Sequence, residues 1–157
     1  MDEGISRARS QLGIGSLTSA RAWRIRKVDY PGEAYYLVVF GEVKAAIGVA
    51  AVDAIRGEVM NSAVLPGKRP HFAIDAKTAV QLSGFPSDAH VELIWKPCRA
   101  SLSPLYPIWQ VSSKDKTLYI DQQGGYMAGI GTSWSWGIGY NVQERLRGHA
   151  LAQTVHK

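Results

Sequence analysis

The fold is decided by two β-forming runs, Tyr-Tyr-Leu-Val-Val-Phe at 35–40 and Ala-Ala-Ile-Gly-Val-Ala-Ala-Val at 45–52, and by Asp-Ala-Ile-Arg-Gly-Glu-Val at 53–59. β-Branched and aromatic residues favour strands, so the two runs are predicted to be strands. Asp53 and Gly57 suit a tight turn after them, because a short carboxylate can accept turn N–H groups and glycine tolerates positive φ. Residues 22–29 alternate and predict a strand before these runs.

The second half of the chain shows the same order of elements. Asp75 is suited to cap a helix over residues 76–82, and Gly84 is suited to end it. The remaining predicted elements are strands at 91–96, 108–111 and 117–120 and, in the first half, a helix at 6–11.

The pattern apolar-Asp-x-x-x-Gly-x-apolar occurs at 52–59 and again at 120–127, which is an offset of 68 residues. At the same offset Ala8 matches Ala76, and Trp23 matches Val91. We therefore predict an α+β protein of two tandem α-β-β-β units, with antiparallel sheets each covered by a helix. Whether the two sheets join is left open. The predicted boundaries are 1–65 for the first repeat, 71–131 for the second, and 132–157 for a C-terminal aromatic strand and helix.

The Tyr-rich strand, followed by Val-Asp-Ala-Ile-Arg-Gly-Glu-Val at 52–59, resembles the pattern of PepSY domains. The resemblance covers residues 5–63 and extends to 74–128 through Tyr119, Ile120, Asp121 and Gly125. It implies a helix followed by a three-stranded antiparallel sheet in each unit. It also implies a role in binding or inhibiting peptidases, although it carries over no residue set for inhibition.

Composition places the chain among folded globular proteins, with 157 residues and 46% hydrophobic residues. No apolar run approaches the roughly 20 residues of a membrane helix. The acidic start lacks the features of a signal peptide, which predicts a cytoplasmic protein if the chain begins at its natural start. A single cysteine excludes an intramolecular disulfide framework.

The net charge of +5 is concentrated near the ends of the chain. Residues 1–27 hold six basic and two acidic residues, and Trp23, Arg24 and Arg26 could contact nucleic acid. An alternating strand, with Trp23 inward and the two arginines outward, is the favoured interpretation. Nucleic-acid binding is therefore a disfavoured alternative.

The segment 95–109 is the least generic part of the chain. Its residues Trp95 and Trp109 are interpreted as core residues of the sheet, slightly favoured over anchors of an interface. The connection 97–107 within it is the candidate binding surface. Pro97, Pro104 and Pro107 restrict its backbone, which lowers the entropy lost on binding a partner. A second segment, 134–140, alternates aromatic and small residues and could leave apolar surface exposed. Packing of both segments against the sheet is an equally weighted alternative. The candidate binding residues are Arg99, Ser101, Ser103, Tyr106, Trp134 and Trp136.

The chemistry expected of the chain is binding rather than catalysis. Cys98 beside Arg99 could form the basis of a cysteine enzyme, but nothing in the sequence places a histidine near it, and a structural cysteine is favoured. Histidine and carboxylate spacings predict no metal site, and no cofactor motif is present. We predict a non-enzymatic module that binds a protein or peptide, with peptidase inhibition implied by the resemblance. The oligomeric state is left open.

Overall fold

The computed structural model describes residues 1–42, 44–98 and 101–127. These residues form an α+β fold with two helices and one mostly antiparallel sheet of eight strands, which confirms the predicted fold class at this level. The elements are α1 (Asp2–Leu12), β1 (Ala20–Lys27), β2 (Ala34–Glu42), β3 (Ala45–Asp53), β4 (Val59–Val64), α2 (Ala76–Ser83), β5 (His90–Trp95), β6 (Ile108–Ser113), β7 (Lys116–Ile120) and β8 (Tyr126–Met127).

The two predicted sheets join into one, in the order β4-β3-β2-β1-β5-β6-β7-β8. Neighbouring strands are antiparallel except at the centre, where β1 and β5 run parallel. In this central pairing Arg26 is opposite Ile94 and Lys27 is opposite Trp95. Each half also contains a fourth strand beyond the three that were predicted, β4 in the first half and β8 in the second.

The two helices pack on opposite faces of the sheet. Ala8 of α1 is fully buried against a cluster that includes Phe40 of β2 and Val52 of β3. Ala79 of α2 belongs to a larger cluster on the other face, together with Leu37 of β2. Because α2 makes its main contacts with strands β5 to β7 of the second half, neither described helix covers this face of the first half.

Side-chain and glycine caps fix both ends of α2, as the sequence indicated, and the C-terminal end of α1. The carboxylate of Asp75 accepts a hydrogen bond from the Thr78 N–H at 2.8 Å, which confirms it as the N-cap of α2. Gly84 ends that helix with a φ of 70°, and Gly13 ends α1 with a φ of 65°. Neither helix of the described part has the length and apolarity required to cross a membrane.

The offset of 68 residues holds at the turns but not at the helices. Asp53 ends β3 and Asp121 follows β7, and each carboxylate accepts two backbone N–H groups of its turn. Ala8, in contrast, lies in the middle of α1, whereas Ala76 is the first residue of α2. Trp23 and Val91 both lie on the sheet face that carries α2. Trp23 therefore points away from α1, the helix of its own half, whereas Val91 points toward α2, the helix of its half. The two residues are not equivalent positions of a repeat.

Candidate binding site

Two irregular segments cover the first half of the sheet on the face opposite α1. The connection between β4 and α2 is held against β3, since the Ala46 N–H donates to the Arg69 carbonyl at 3.1 Å. The connection between β5 and β6 reaches the same face, where the Tyr35 hydroxyl donates to the Pro104 carbonyl at 2.5 Å. These segments take the place of a helix over β1, β2 and β3.

An open cleft of about 420 Å³ lies between the first of these segments and the sheet. Three aromatic side chains line it: Trp23 of β1, Phe72 of the connection and Trp109 of β6. Phe72 contacts Trp23 edge to face, with ring centroids 5.0 Å apart, and its ring centroid is 6.2 Å from that of Trp109. Val39, Ile74 and Ala76 add further apolar surface. The cleft is therefore a mostly apolar concavity of the kind that binds ligands.

Charged residues also line this cleft. The side chains of Arg21 and Glu42 are solvent-exposed and form no hydrogen bond or ion pair within the described part of the chain. Asp75 also lines the cleft, but its carboxylate is engaged in capping α2, and the Thr78 backbone N–H bond lowers its pKa. One cation and one anion are therefore open to a ligand beside an aromatic interior.

His71 connects the cleft to the second covering segment. Its Nε2 lies 2.8 Å from the Leu105 carbonyl, and its ring centroid is 5.0 Å from that of Phe72 and 5.7 Å from that of Tyr106. Burial lowers the pKa of His71, although its hydrogen bond to Leu105 acts in the opposite direction. The neutral ring can donate through Nε2 to this carbonyl, so it links the two segments near neutral pH.

The sequence-predicted binding residues fall into different environments. Ser101 is buried and donates to the Tyr106 carbonyl, while the hydroxyl of Ser103 accepts hydrogen bonds from Asn61 and from the Leu105 N–H. Ser101 therefore closes the segment on itself, and Ser103 also joins it to Asn61 of β4. Tyr106 is 47% exposed and is joined to the cleft through His71. Arg99, Trp134 and Trp136 lie outside the described residues.

The residues of the nucleic-acid alternative do not form one surface. Trp23 lies on the cleft face, whereas Arg24 and Arg26 alternate to the other face. Arg26 is also engaged there, since its guanidinium donates to Glu92 at 2.6 Å and to Gln110 at 3.1 Å. An aromatic platform flanked by these arginines is therefore absent from this strand.

The enzyme alternative centres on Cys98, which is buried in an apolar cluster with Ile94, Ile108 and Met127. Within the ranges that the structure describes, no group of three or more His, Cys, Asp or Glu side chains is placed to hold a metal ion.

Sequence reasoning did not predict the cleft. Trp23 and Trp109 were interpreted as core residues of the sheet, and both do pack in the large cluster while also lining the cleft. Phe72 lies in the connection between β4 and α2, for which no helix or strand was predicted. An aromatic residue in such a segment is the sequence signal that could have indicated the cleft.

No family model, curated protein or solved structure matches the chain. The fold and the cleft therefore define the protein by class alone, as an α+β protein with an aromatic cleft beside an eight-stranded sheet.

Proposed function

We propose that this protein is a non-enzymatic binding module that takes an aromatic or large apolar side chain of a protein or peptide into the cleft. The observation that carries the proposal is the aromatic lining formed by Trp23, Phe72 and Trp109, together with the unengaged Arg21 and Glu42. Aromatic rings favour edge-to-face and offset contacts with another ring, and large apolar side chains are common anchors of interfaces.

The charged pair adds an orientation to this binding mode. A peptide that inserts one side chain still presents backbone and neighbouring side chains to the rim. Arg21 can pair with an anionic group of the partner, and Glu42 can pair with a cationic group, so a peptide with both charges beside its anchor is favoured. Because both residues are exposed, we expect these pairs to affect specificity and the association rate more than affinity.

We further propose two tandem PepSY-like repeats as the plan of the chain and a peptidase as its partner. The similar turns at Asp53 and Asp121 support the first point, and the sequence resemblance alone supports the second. A peptidase partner is tested by titrating the protein into peptidase assays, with a cleft-filled variant as the comparison.

The cleft is tested directly by calorimetric titration with acetyl-Ala-Ala-X-Ala-Ala-amide peptides in which X is Trp, Phe, Leu or Ala. Ala76 lines the cleft as the first residue of α2, so Ala76→Phe fills it without removing an aromatic wall. Ala22 is an exposed alanine of β1 that alternates to the opposite face, and Ala22→Phe is the matched control.

We expect the Trp and Phe peptides to bind with the highest affinity and the Leu peptide with a lower one. The Ala peptide should show no measurable binding. Ala76→Phe should weaken binding by about tenfold or more, because an occupied cleft excludes the anchor, while Ala22→Phe should leave it unchanged. Phe72→Leu supplies a second variant that removes an aromatic wall but keeps an apolar one. Equal binding of all four peptides, or unchanged binding by both cleft variants, would contradict the proposal.

A further inference from the structure

The outer edge of β4 lacks the charges and prolines that normally keep a sheet edge from pairing with another chain, and its pairing with β3 is irregular only at Met60, where a bulge lies. β4 is the terminal strand of the sheet, and its sequence Val-Met-Asn-Ser-Ala-Val at 59–64 contains no charge and no proline. Natural edge strands are usually protected by lysine, proline or a covering element. The exposed apolar residues Met60 and Val64 lie on this strand, with 42% and 71% of their surface accessible.

The hydrogen-bond register shows which backbone groups of β4 point outward. The Leu65 N–H donates to the Ile47 carbonyl at 2.8 Å, and Ala63 is opposite Val49 in the same ladder. Because bonded and non-bonded pairs alternate in an antiparallel ladder, the N–H and C=O of Ser62 and Val64 point away from β3. No described residue bonds to these outward groups.

An extended strand is the occupant that satisfies such groups, and β4 itself has a self-complementary register. If two β4 strands pair antiparallel about Ser62, then Ser62 meets its own copy. Met60, the bulged residue that has no partner in β3, then lies beside Val64 of the other chain. Both exposed apolar side chains are then covered by apolar partners, and no like charges face each other. We propose that β4 is a self-association edge whose occupant is a second copy of this chain.

The position of α1 is compatible with this pairing. α1 lies over β3 and β4, so a twofold-related copy would place the two α1 helices two strand spacings apart, about 10 Å, which is a normal helix packing distance. Arg9 packs over the Phe40 ring of β2 on one flank of α1. The opposite flank therefore faces the partner, and it carries Glu3 and Arg7, which form an ion pair with each other at 2.5 Å, so this flank presents no unpaired like charges to the copy.

This association does not depend on the proposed cleft, and it is tested by sedimentation velocity of the full chain from micromolar to millimolar concentration. We expect a monomer–dimer equilibrium in the unmodified protein. Ser62→Pro removes an outward N–H without removing a bond to β3, and it should raise the dimer dissociation constant about tenfold or more. Val64→Lys should also weaken the dimer by placing a charge beside Met60 of the copy.

A compensating variant makes the test specific for the register. Adding Met60→Glu to Val64→Lys places opposite charges at both cross-strand pairs and should restore part of the dimer. Leu17→Lys changes a residue that is 99% exposed outside the sheet and should leave the equilibrium unchanged. Circular dichroism of each variant checks that the fold is kept.

Three outcomes would overturn the proposal. An unmodified chain that stays monomeric at every concentration would show that no second copy occupies the edge and would leave the edge to a strand of another protein. A dimer with an unchanged dissociation constant in both Ser62→Pro and Val64→Lys would place the interface elsewhere. A dimer that Val64→Lys weakens and Met60→Glu fails to restore would refute the register about Ser62.

Discussion

The hydrogen bond between Tyr35 and Pro104 gives a quantitative test of how the covering segment is held. Tyr35 is fully buried on β2, and its hydroxyl donates to the Pro104 carbonyl at 2.5 Å. Tyr35→Phe keeps the ring and removes only this donor. The Pro104 carbonyl then loses its partner in a partly buried position, so we expect a loss of about 1–2 kcal/mol in the free energy of unfolding near neutral pH.

The same residue predicts how this difference changes with pH. Burial raises the pKa of Tyr35 above its ordinary value, so the folded state favours the neutral phenol. The stabilisation that the buried neutral phenol provides is fully present below about pH 10, which is the pKa of tyrosine in the unfolded chain. This stabilisation is lost as the pH rises above that value. Because each pH unit then removes about 1.4 kcal/mol, the advantage of the unmodified protein over Tyr35→Phe should vanish within roughly one to one and a half pH units above 10.

The assay is urea denaturation followed by circular dichroism at about pH 8, 10 and 11. Tyr30 is 55% exposed at the turn between β1 and β2, and Tyr30→Phe should change stability by less than about 0.5 kcal/mol at every pH. The reasoning is refuted if Tyr35→Phe is as stable as the unmodified protein at pH 8. It is equally refuted if their difference does not shrink in alkali.

Three further predictions concern charged groups. Glu92→Ala should cost about 1 kcal/mol by removing the ion pair with Arg26 beside the central strand pairing, and less in high salt, measured by urea denaturation. Backbone hydrogen bonds from Arg56 and Ile55 lower the pKa of Asp53. The stability that the ionised carboxylate provides should therefore be present above about pH 4 and decrease as the pH falls below it. In thermal melts, the melting temperature of Asp53→Asn should decrease less steeply in acid than that of the unmodified protein. Burial lowers the pKa of His71. The stability that the neutral imidazole provides should therefore be present above about pH 6.5 and decline below it. The melting temperature of His71→Gln should depend less on pH between neutrality and about pH 5 than that of the unmodified protein.

Local signals in the sequence predicted most of the elements. The β-forming run at 35–40 lies within β2, and Asp75 and Gly84 bound α2 as predicted, because caps and strand patterns depend on neighbouring residues. The joining of the sheets was not predictable, since the backbone ladder between β1 and β5 contains only two residue pairs and neither pair has a distinctive sequence. Register between distant strands depends on packing rather than on local pattern.

The location of the cleft follows from the placement of the helices. If α1 and α2 lay on one face, the other face of the sheet would be open along its whole length. With the helices on opposite faces, α2 covers the second half of the sheet, and among the described residues the same face of the first half is left to the two connections that contain Phe72 and Pro104. Irregular segments cover a sheet less completely than a helix does, because they bury fewer side chains in a regular row. The gap that remains beside Trp23 and Trp109 is the cleft, so the residues that sequence reasoning assigned to the core become its walls.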